Sequence, residues 1–341
     1  MSGGSGGDQL KGGSGNDRLE GGAGADRIEG GAGDDKLIFT ADAVATAPAH
    51  VDHVGSPGRA GTGAVASLDG KNVSHDTFDG GSGIDTLSGT NGNDAIILDD
   101  RSSAAPSGGR GGATTSGLEH LFGFFGLEGP TGYGGSSFST ANTPRLTSIE
   151  RIETGPGDDI VDLTSQRFGY GNVTIDGGEG DDKLWSSGGD DSLLGASGND
   201  TIAAGAGRDT LDGGAGNDRL EGGSGNDTYR FARGAGQDTI AENDGSFGNV
   251  DTLRLNGLKL SDLVFQRAGT DLDVRINGTT DMVRVKSWYE GSRFQVERFE
   301  TDDGVVFASQ MPALVHSSPM YYAPMAPLPA PFTPAQEQWM P

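Results

Sequence analysis

The residues best placed to do chemistry in this chain are its aspartates, and their spacing is regular. Asp182, Asp191, Asp200, Asp209, Asp218 and Asp227 recur every nine positions, and Asp238 follows after a two-residue slip. The same interval separates Asp8, Asp17, Asp26 and Asp35, and again Asp85 and Asp94. Asp159 lies in an outlying copy, TGPGDDIVD (154–162), and Asp76 in a worn one at 71–79. With Asp at about one residue in ten, six in register arise by chance roughly once in a million. Carboxylates are hard oxygen ligands, so the chemistry suggested is capture of a hard cation. The repeat itself explains the neighbouring acids, which removes them as evidence for acid–base catalysis.

Around each aspartate the consensus is G-G-x-G-x-D-x-U-x, with U a large apolar residue. Glycines at the first, second and fourth positions permit backbone conformations closed to other residues. In x-U-x the middle side chain faces one way and its neighbours the other. Leu10, Leu19, Ile28, Leu37, Leu87, Ile96, Leu184, Leu193, Ile202, Leu211, Leu220, Tyr229 and Ile240 therefore point inward, while Lys183, Arg219 and Glu221 point to water. Each nonapeptide is a six-residue loop and a three-residue strand, and two of them make one 18-residue turn of a coil. One turn cannot bury its apolar row, but stacked turns can.

Stacking predicts that Asp200 lies beside Asp182 and Asp218, and Asp191 beside Asp209 and Asp227. At a strand spacing of about 4.8 Å these like charges repel, and a cation between loops reverses the sign. Alternate loop residues face opposite neighbours. The carbonyls of the second and fourth residues are thus expected to join the carboxylate: Gly178, Gly180, Gly198, Gly205, Gly207, Gly214, Gly216, Gly223 and Gly225. First, third and fifth residues face the next ion. About six oxygens suit Ca²⁺, whereas Mg²⁺ demands a tight octahedron and holds its waters. Zinc would want His or Cys, and the intact repeat loops hold neither.

Composition agrees. The 341 residues carry 62 Gly and no Cys, with a formal net charge of −25. Of 49 acidic residues 36 are Asp. A nucleic-acid binder would want a basic face, and none is available. No apolar run approaches the ~18 residues of a membrane span. Gly and Asp are poor helix formers, so an all-β chain is expected. Without disulfides, an extracellular fold of this kind needs another staple.

These nonapeptides resemble the haemolysin-type calcium-binding repeats of the RTX (repeats-in-toxin) family. The resemblance implies a parallel β-roll, or β-solenoid, with several bound calcium ions, roughly six to ten by loop pairing. It also implies export by type I secretion, unfolded in low calcium, with folding outside the cell. Metal binding then becomes folding energy.

The expected divisions are a roll block at 3–38, a loop insertion at 39–70, a short roll block at 71–97, a Gly/Phe/Ser-rich insertion at 98–150, the main roll at 154–241, an antiparallel β cap at 246–310 and a Pro-rich tail at 311–341. HVDH (His50 to His53) reads as a solvated loop rather than a metal site. LEHLFGFFGLEG (118–129) reads as a satellite core over the roll, with an exposed patch for a partner as the alternative. RLTSIERIETG (145–155) alternates and should be a strand. Residues 246–310 alternate with period two between turns such as Asn277-Gly278, and resemble the domain that often follows RTX repeats.

Catalytic constellations are scarce. Gly3 to Gly7 matches G-x-S-x-G, and several stretches match G-x-G-x-x-G, but no strand-to-helix context surrounds them. There is no H-E-x-x-H, and the five His form no recognisable triad. The chain is therefore expected not to be an enzyme. A secreted structural, surface-layer or adhesion role leads. The alternatives are the secretion and folding module of a larger toxin or exoenzyme, suggested by the repeat at the N-terminus, and a module for cell-surface polysaccharide or self-assembly.

Overall fold

The computed structural model describes residues 1–45, 50–52, 65–67, 70–74, 76–97, 146–164, 170–246 and 248–315. The three-residue strands form as the x-U-x pattern requires. In Lys36–Ile38 and Arg151–Glu153 the central side chain alone is buried. Successive strands alternate between two faces, so each strand pairs with one a full turn away. Thr174–Glu179 pairs in parallel with Ser192–Ser197, matching Ile175 to Leu193, and Lys183–Trp185 with Thr201–Gly207, matching Leu184 to Ile202. The offset is 18 residues in both, as two nonapeptides per turn demand. This is a parallel β-roll.

The first face is one 12-stranded sheet running from Ser2–Ser5 to Gly304–Phe307. The blocks read separately in the sequence are joined here, because Thr86–Ser88 pairs with both Lys36–Ile38 and Arg151–Glu153. The second face is divided. Leu146–Thr147 pairs back onto Thr77–Ser82, whereas Ala95–Ile97 pairs forward onto Ile160–Asp162. The change of stack falls between Ile97 and Leu146. The single strand expected at 145–155 is thus two, one for each face, with Ser148 at φ 50° between them.

The loop insertion forms one short antiparallel ladder within itself, His50–Asp52 with Val65–Ser67, and one with the start of the next block, Ala43–Val44 with Asn72–Val73. His53, His75, residues 98–145 (with the Phe-rich segment) and residues 316–341 lie outside the described residues.

The cap differs from expectation in one respect. It does contain antiparallel pairs, Leu263–Ala268 with Asp271–Ile276 and Arg298–Thr301 with Gly304–Phe307. Yet Thr252–Leu255 and Met282–Val285 join roll strands in parallel, and Arg298–Thr301 then stacks in parallel on Thr252–Leu255. The cap therefore continues both faces before closing each with a hairpin. Period-two alternation sets which side chains face inward and is silent on strand direction.

One apolar cluster threads the whole length, from Leu19 and Ile28 through Leu211 and Tyr229 to Phe299 and Met311. Each fully buried Leu or Ile in it contributes about 1.5–3 kcal/mol of transfer free energy. In the cap the row widens into a packed aromatic core. Phe299 meets Phe265 edge-on at 5.7 Å between ring centroids and Trp288 at 5.6 Å. Among the described residues the only α-helix is Met311–Leu314, and no helix is long and apolar enough to cross a membrane.

Candidate metal centres

Stacking turns brings the sixth-position aspartates into ladders. The backbone N–H of Asp182 donates to Asp200 Oδ1 at 2.8 Å, and that of Asp200 to Asp218 Oδ1 at 2.8 Å. The same edge begins with Asp94 N–H to Asp159 and Asp159 N–H to Asp182, and ends with Asp218 N–H to Asp238. On the opposite edge Asp191 donates to Asp209 and Asp209 to Asp227. In the N-terminal turns Asp8 donates to Asp26, Asp17 to Asp35, and Asp35 to Asp85. Asp200 lies between Asp182 and Asp218 as the spacing predicts; Asp191 meets Asp209 but not Asp227, which lies one turn further, and its other neighbour is Val173.

Each carboxylate spends one oxygen on this ladder. The other, Oδ2, is buried and makes no hydrogen bond in Asp8, Asp17, Asp26, Asp35, Asp85, Asp159, Asp182, Asp191, Asp200, Asp209, Asp218, Asp227 and Asp238. Asp94 is different. Asn72 and the Thr90 hydroxyl both donate to its Oδ1 at 2.8 Å, and Thr90 N–H donates to its Oδ2 at 2.6 Å. Its carboxylate is therefore occupied, and of the predicted ligands it is the least suited to an ion.

Glycine is required at these loops for two reasons. At the first position, a Cβ on Gly195 would lie 2.1 Å from Asp200 Oδ2, so a side chain would displace the carboxylate. At the second, Gly223 has φ +106° and a Cβ there would lie 2.0 Å from Gly205 O. The predicted ligand glycines all have positive φ, from 93° at Gly214 to 156° at Gly216. The carbonyls of Gly198, Gly205 and Gly207 point at the loop one turn on, where Gly216, Gly223 and Gly225 lie against them. Some second-position carbonyls also accept a backbone bond from the next turn, as Ala196 O does from Ala215 N–H at 2.8 Å. A carbonyl has two lone pairs, so this leaves one for a further partner.

Burial is costly for these acids. It pushes Asp182 and Asp227 up to about 8 and Asp200 and Asp209 to about 7, opposed in each by the ladder N–H that donates to it. Like-charged neighbours add to the rise. Stacked, buried, unpaired carboxylate oxygens, in loops whose glycine carbonyls face the next turn, fit a hard, oxygen-seeking cation. The acids that line the loops are the right donors; the chain has no Cys, and apart from His75 in the worn copy the repeat loops hold no His.

Sequence reasoning missed two sets of residues. The fifth position carries Asn or Asp in many copies, and these side chains build a second, exposed ladder. Asn199 N–H donates to Asp181 Oδ1 at 2.7 Å and Asn217 N–H to Asn199 Oδ1 at 3.0 Å. The recurrent N-D and D-D pairs were the available signal. The second set prolongs the buried ladder into the cap: Asp227 N–H donates to Asp251 Oδ1 and Asp251 N–H to Glu297 Oε2, both at 2.8 Å. Nothing in the period marks these two, which fall 24 and 46 residues on.

A parallel roll with cation-seeking loops on its edges is the architecture of a calcium-binding repeat protein. The RTX calcium-binding nonapeptide repeat matches in four copies, at residues 2–37, 72–100, 169–193 and 194–229. The haemolysin-type calcium-binding protein related domain matches residues 271–310. The chain therefore carries RTX repeats of the calcium-binding kind, followed by a domain of the haemolysin-related type. The copies at 154–162 and 233–241 fall outside these matches, yet Asp159 and Asp238 take their places in the ladder. Among solved structures, extracellular lipase LipA from Serratia marcescens is similar at 17% identity and a TM-score of 0.26, covering 82% of this chain. The chain spans 36% of the length of that lipase.

Proposed function

We propose that this is a secreted RTX protein that calcium folds outside the cell, with a structural, surface-layer or adhesion role and no catalysis of its own. The observation that carries this reading is the buried, unpaired Oδ2 of successive ladder aspartates. Calcium bound between loops supplies the positive charge these oxygens lack. The ladder N–H groups hold each carboxylate in place, the glycines let neighbouring loops approach, and the apolar row holds the turns together. The proposed ligands are the ladder aspartates other than Asp94, with Gly178, Gly180, Gly198, Gly205, Gly207, Gly214, Gly216, Gly223 and Gly225 contributing carbonyls. Loop pairing gives roughly six to ten ions. Where the ion is scarce, as inside a cell, the like charges keep the chain open for type I export. Where it is abundant, the roll closes.

A calcium titration of the chelated protein, followed by far-UV circular dichroism with magnesium as control, tests this. A cooperative gain of β structure near millimolar calcium and none with magnesium is expected. A roll already complete in chelator would overturn the coupling.

A further inference from the structure

The roll meets the cap at the loop Gly222–Asp227. On the same edge, the loops before it face another nonapeptide one turn on. This one faces AENDGSFGNVD, residues 241–251, which lacks the repeat pattern. The segment still serves the loop's backbone. Gly225 N–H donates to Asp244 Oδ2 at 3.0 Å, Val250 N–H to Asn226 Oδ1 at 2.8 Å, and Asp227 N–H to Asp251 Oδ1 at 2.8 Å. It thus stands in for a repeat loop.

It also adds a carboxylate that no repeat has. Glu242 is only 4% exposed. Asp227, Glu242 and Asp251, all buried, bring one oxygen each to within 4.8 Å of one another. Tyr229 links Glu242 to the loop: its hydroxyl donates to Glu242 Oε1 and accepts from Gly222 N–H at 2.7 Å. Glu242 Oε2 and Asp227 Oδ2 are buried with no hydrogen-bond partner. Asn249 donates Nδ2 to Asp251 Oδ2 at 2.8 Å, while the Oδ1 of the same amide is buried and unpaired. Among the described residues no Lys, Arg or His forms an ion pair with any of the three acids. Three buried carboxylates, two of them with an oxygen that has no hydrogen-bond partner, and no counter-charge are a strong electrostatic demand.

We propose that Asp227, Glu242 and Asp251 hold a divalent, oxygen-seeking cation at the junction of roll and cap, with Asn249 Oδ1 as a neutral ligand. The ion is calcium on the same reading that assigns calcium to the roll. The site is separate from those built by two nonapeptides, because Glu242, Asn249 and Asp251 all come from outside the repeats. Calcium affinity rises with the charge count of the ligands, and three carboxylates exceed the two that a pair of nonapeptides presents. The junction ion is therefore the tightest in the molecule. It fastens residues 242–246 and 248–251 over the last repeat loop of this edge, and so fastens the cap to the roll.

The test uses the whole chain, stripped of metal, with calcium itself as the probe. Calorimetry and native mass spectrometry count the ions, and circular dichroism at saturating calcium checks the fold. The wild type is expected to bind one ion at least ~10-fold more tightly than the rest. Glu242→Gln keeps an acceptor for Tyr229 and is expected to abolish that ion alone, with the remaining ions and the β signal retained. Asn249→Ala is expected to weaken the same ion by roughly 5- to 10-fold. Asp200→Asn, deep in the roll, should weaken the other ions and spare this one. An unchanged tight ion in Glu242→Gln overturns the proposal. Should that variant not fold, an unchanged tight ion in Asn249→Ala overturns it equally. A wild type with the tight ion and no weaker ones keeps the junction site and refutes calcium binding by the repeats. Weaker ions without a tight one do the reverse.

Discussion

Roll and cap share a continuous sheet, yet they bury acids by opposite means. In the cap, Asp273 accepts from Arg284 Nε and Nη2 at 2.7 and 2.9 Å and from Arg275 at 3.1 Å. Asp271 accepts from Lys286 Nζ at 3.0 Å and from Ser287 N–H at 2.9 Å. In the roll, Asp182, Asp200 and Asp218 are as deeply buried and keep one oxygen without a partner. Asp271 and Asp273 have their counter-charges in the cap's own sequence, whereas those ladder aspartates form no ion pair among the described residues. On the proposed reading, a segment of the first kind needs no ion to fold and one of the second kind does.

Amide exchange in chelator puts the largest effect on that contrast. Protection across residues 174–240 is expected to vanish, while Leu263–Ala268 and Asp271–Ile276 retain protected amides. Equal loss in both regions would erase the distinction. The pH response of the calcium-free protein should separate them next, with slopes of opposite sign. Asp182 and Asp227 at about 8, and Asp200 and Asp209 at about 7, lie above the unfolded value. An unfolded Asp titrates near about 3.9, so the folded apo roll binds extra protons, is most stable below about pH 4, and loses that stability as pH rises through 7 to 8. For Asp271, burial pushes the carboxyl up, but the Ser287 amide, Lys286 and Arg284 more than reverse it. Its contribution is present above about pH 4 and fades on acidification. Circular dichroism in chelator from pH 8 down to pH 4 should show the roll gaining structure.

Arg284→Met removes the main partner of Asp273 and leaves that acid buried. Because Arg284 is one-third exposed, about 1–2 kcal/mol of destabilisation is expected, the same at every calcium level above saturation. Denaturant titrations at two calcium concentrations check it, and a calcium-dependent loss would mean the cap is not self-sufficient. The smallest effect is confined to the roll. Ala196 occupies a second loop position at φ 73°, where Gly178 and Gly214 sit elsewhere. Ala196→Gly should stabilise the calcium-loaded protein by about 1 kcal/mol, read from its thermal midpoint.

The roll was legible because its period encodes the contact. A residue and its equivalent 18 positions on must touch, so the neighbours of Asp200 and of Ile202 could both be placed from spacing alone. Legibility stopped where contacts cease to follow the period. Asp251, Glu297 and Glu242 reach the ladder through turns of irregular length. The occupied carboxylate of Asp94 depends on Asn72, which lies 22 residues back in the worn copy, an interval the nine-residue period does not mark. Parallel pairing of Thr252–Leu255 is invisible to an alternating pattern, which reads alike in either strand direction.

The two loop ladders run in opposite senses, and this gives damage a direction. The sixth-position N–H reaches forward, from Asp182 to the carboxylate of Asp200. The fifth-position N–H reaches backward, from Asn217 to the side chain of Asn199. Removing the side chain of Asp200 therefore strands an amide in the turn before it, and removing that of Asn199 strands one in the turn after. Two adjacent residues, each lost alone, would open the same coil toward opposite ends.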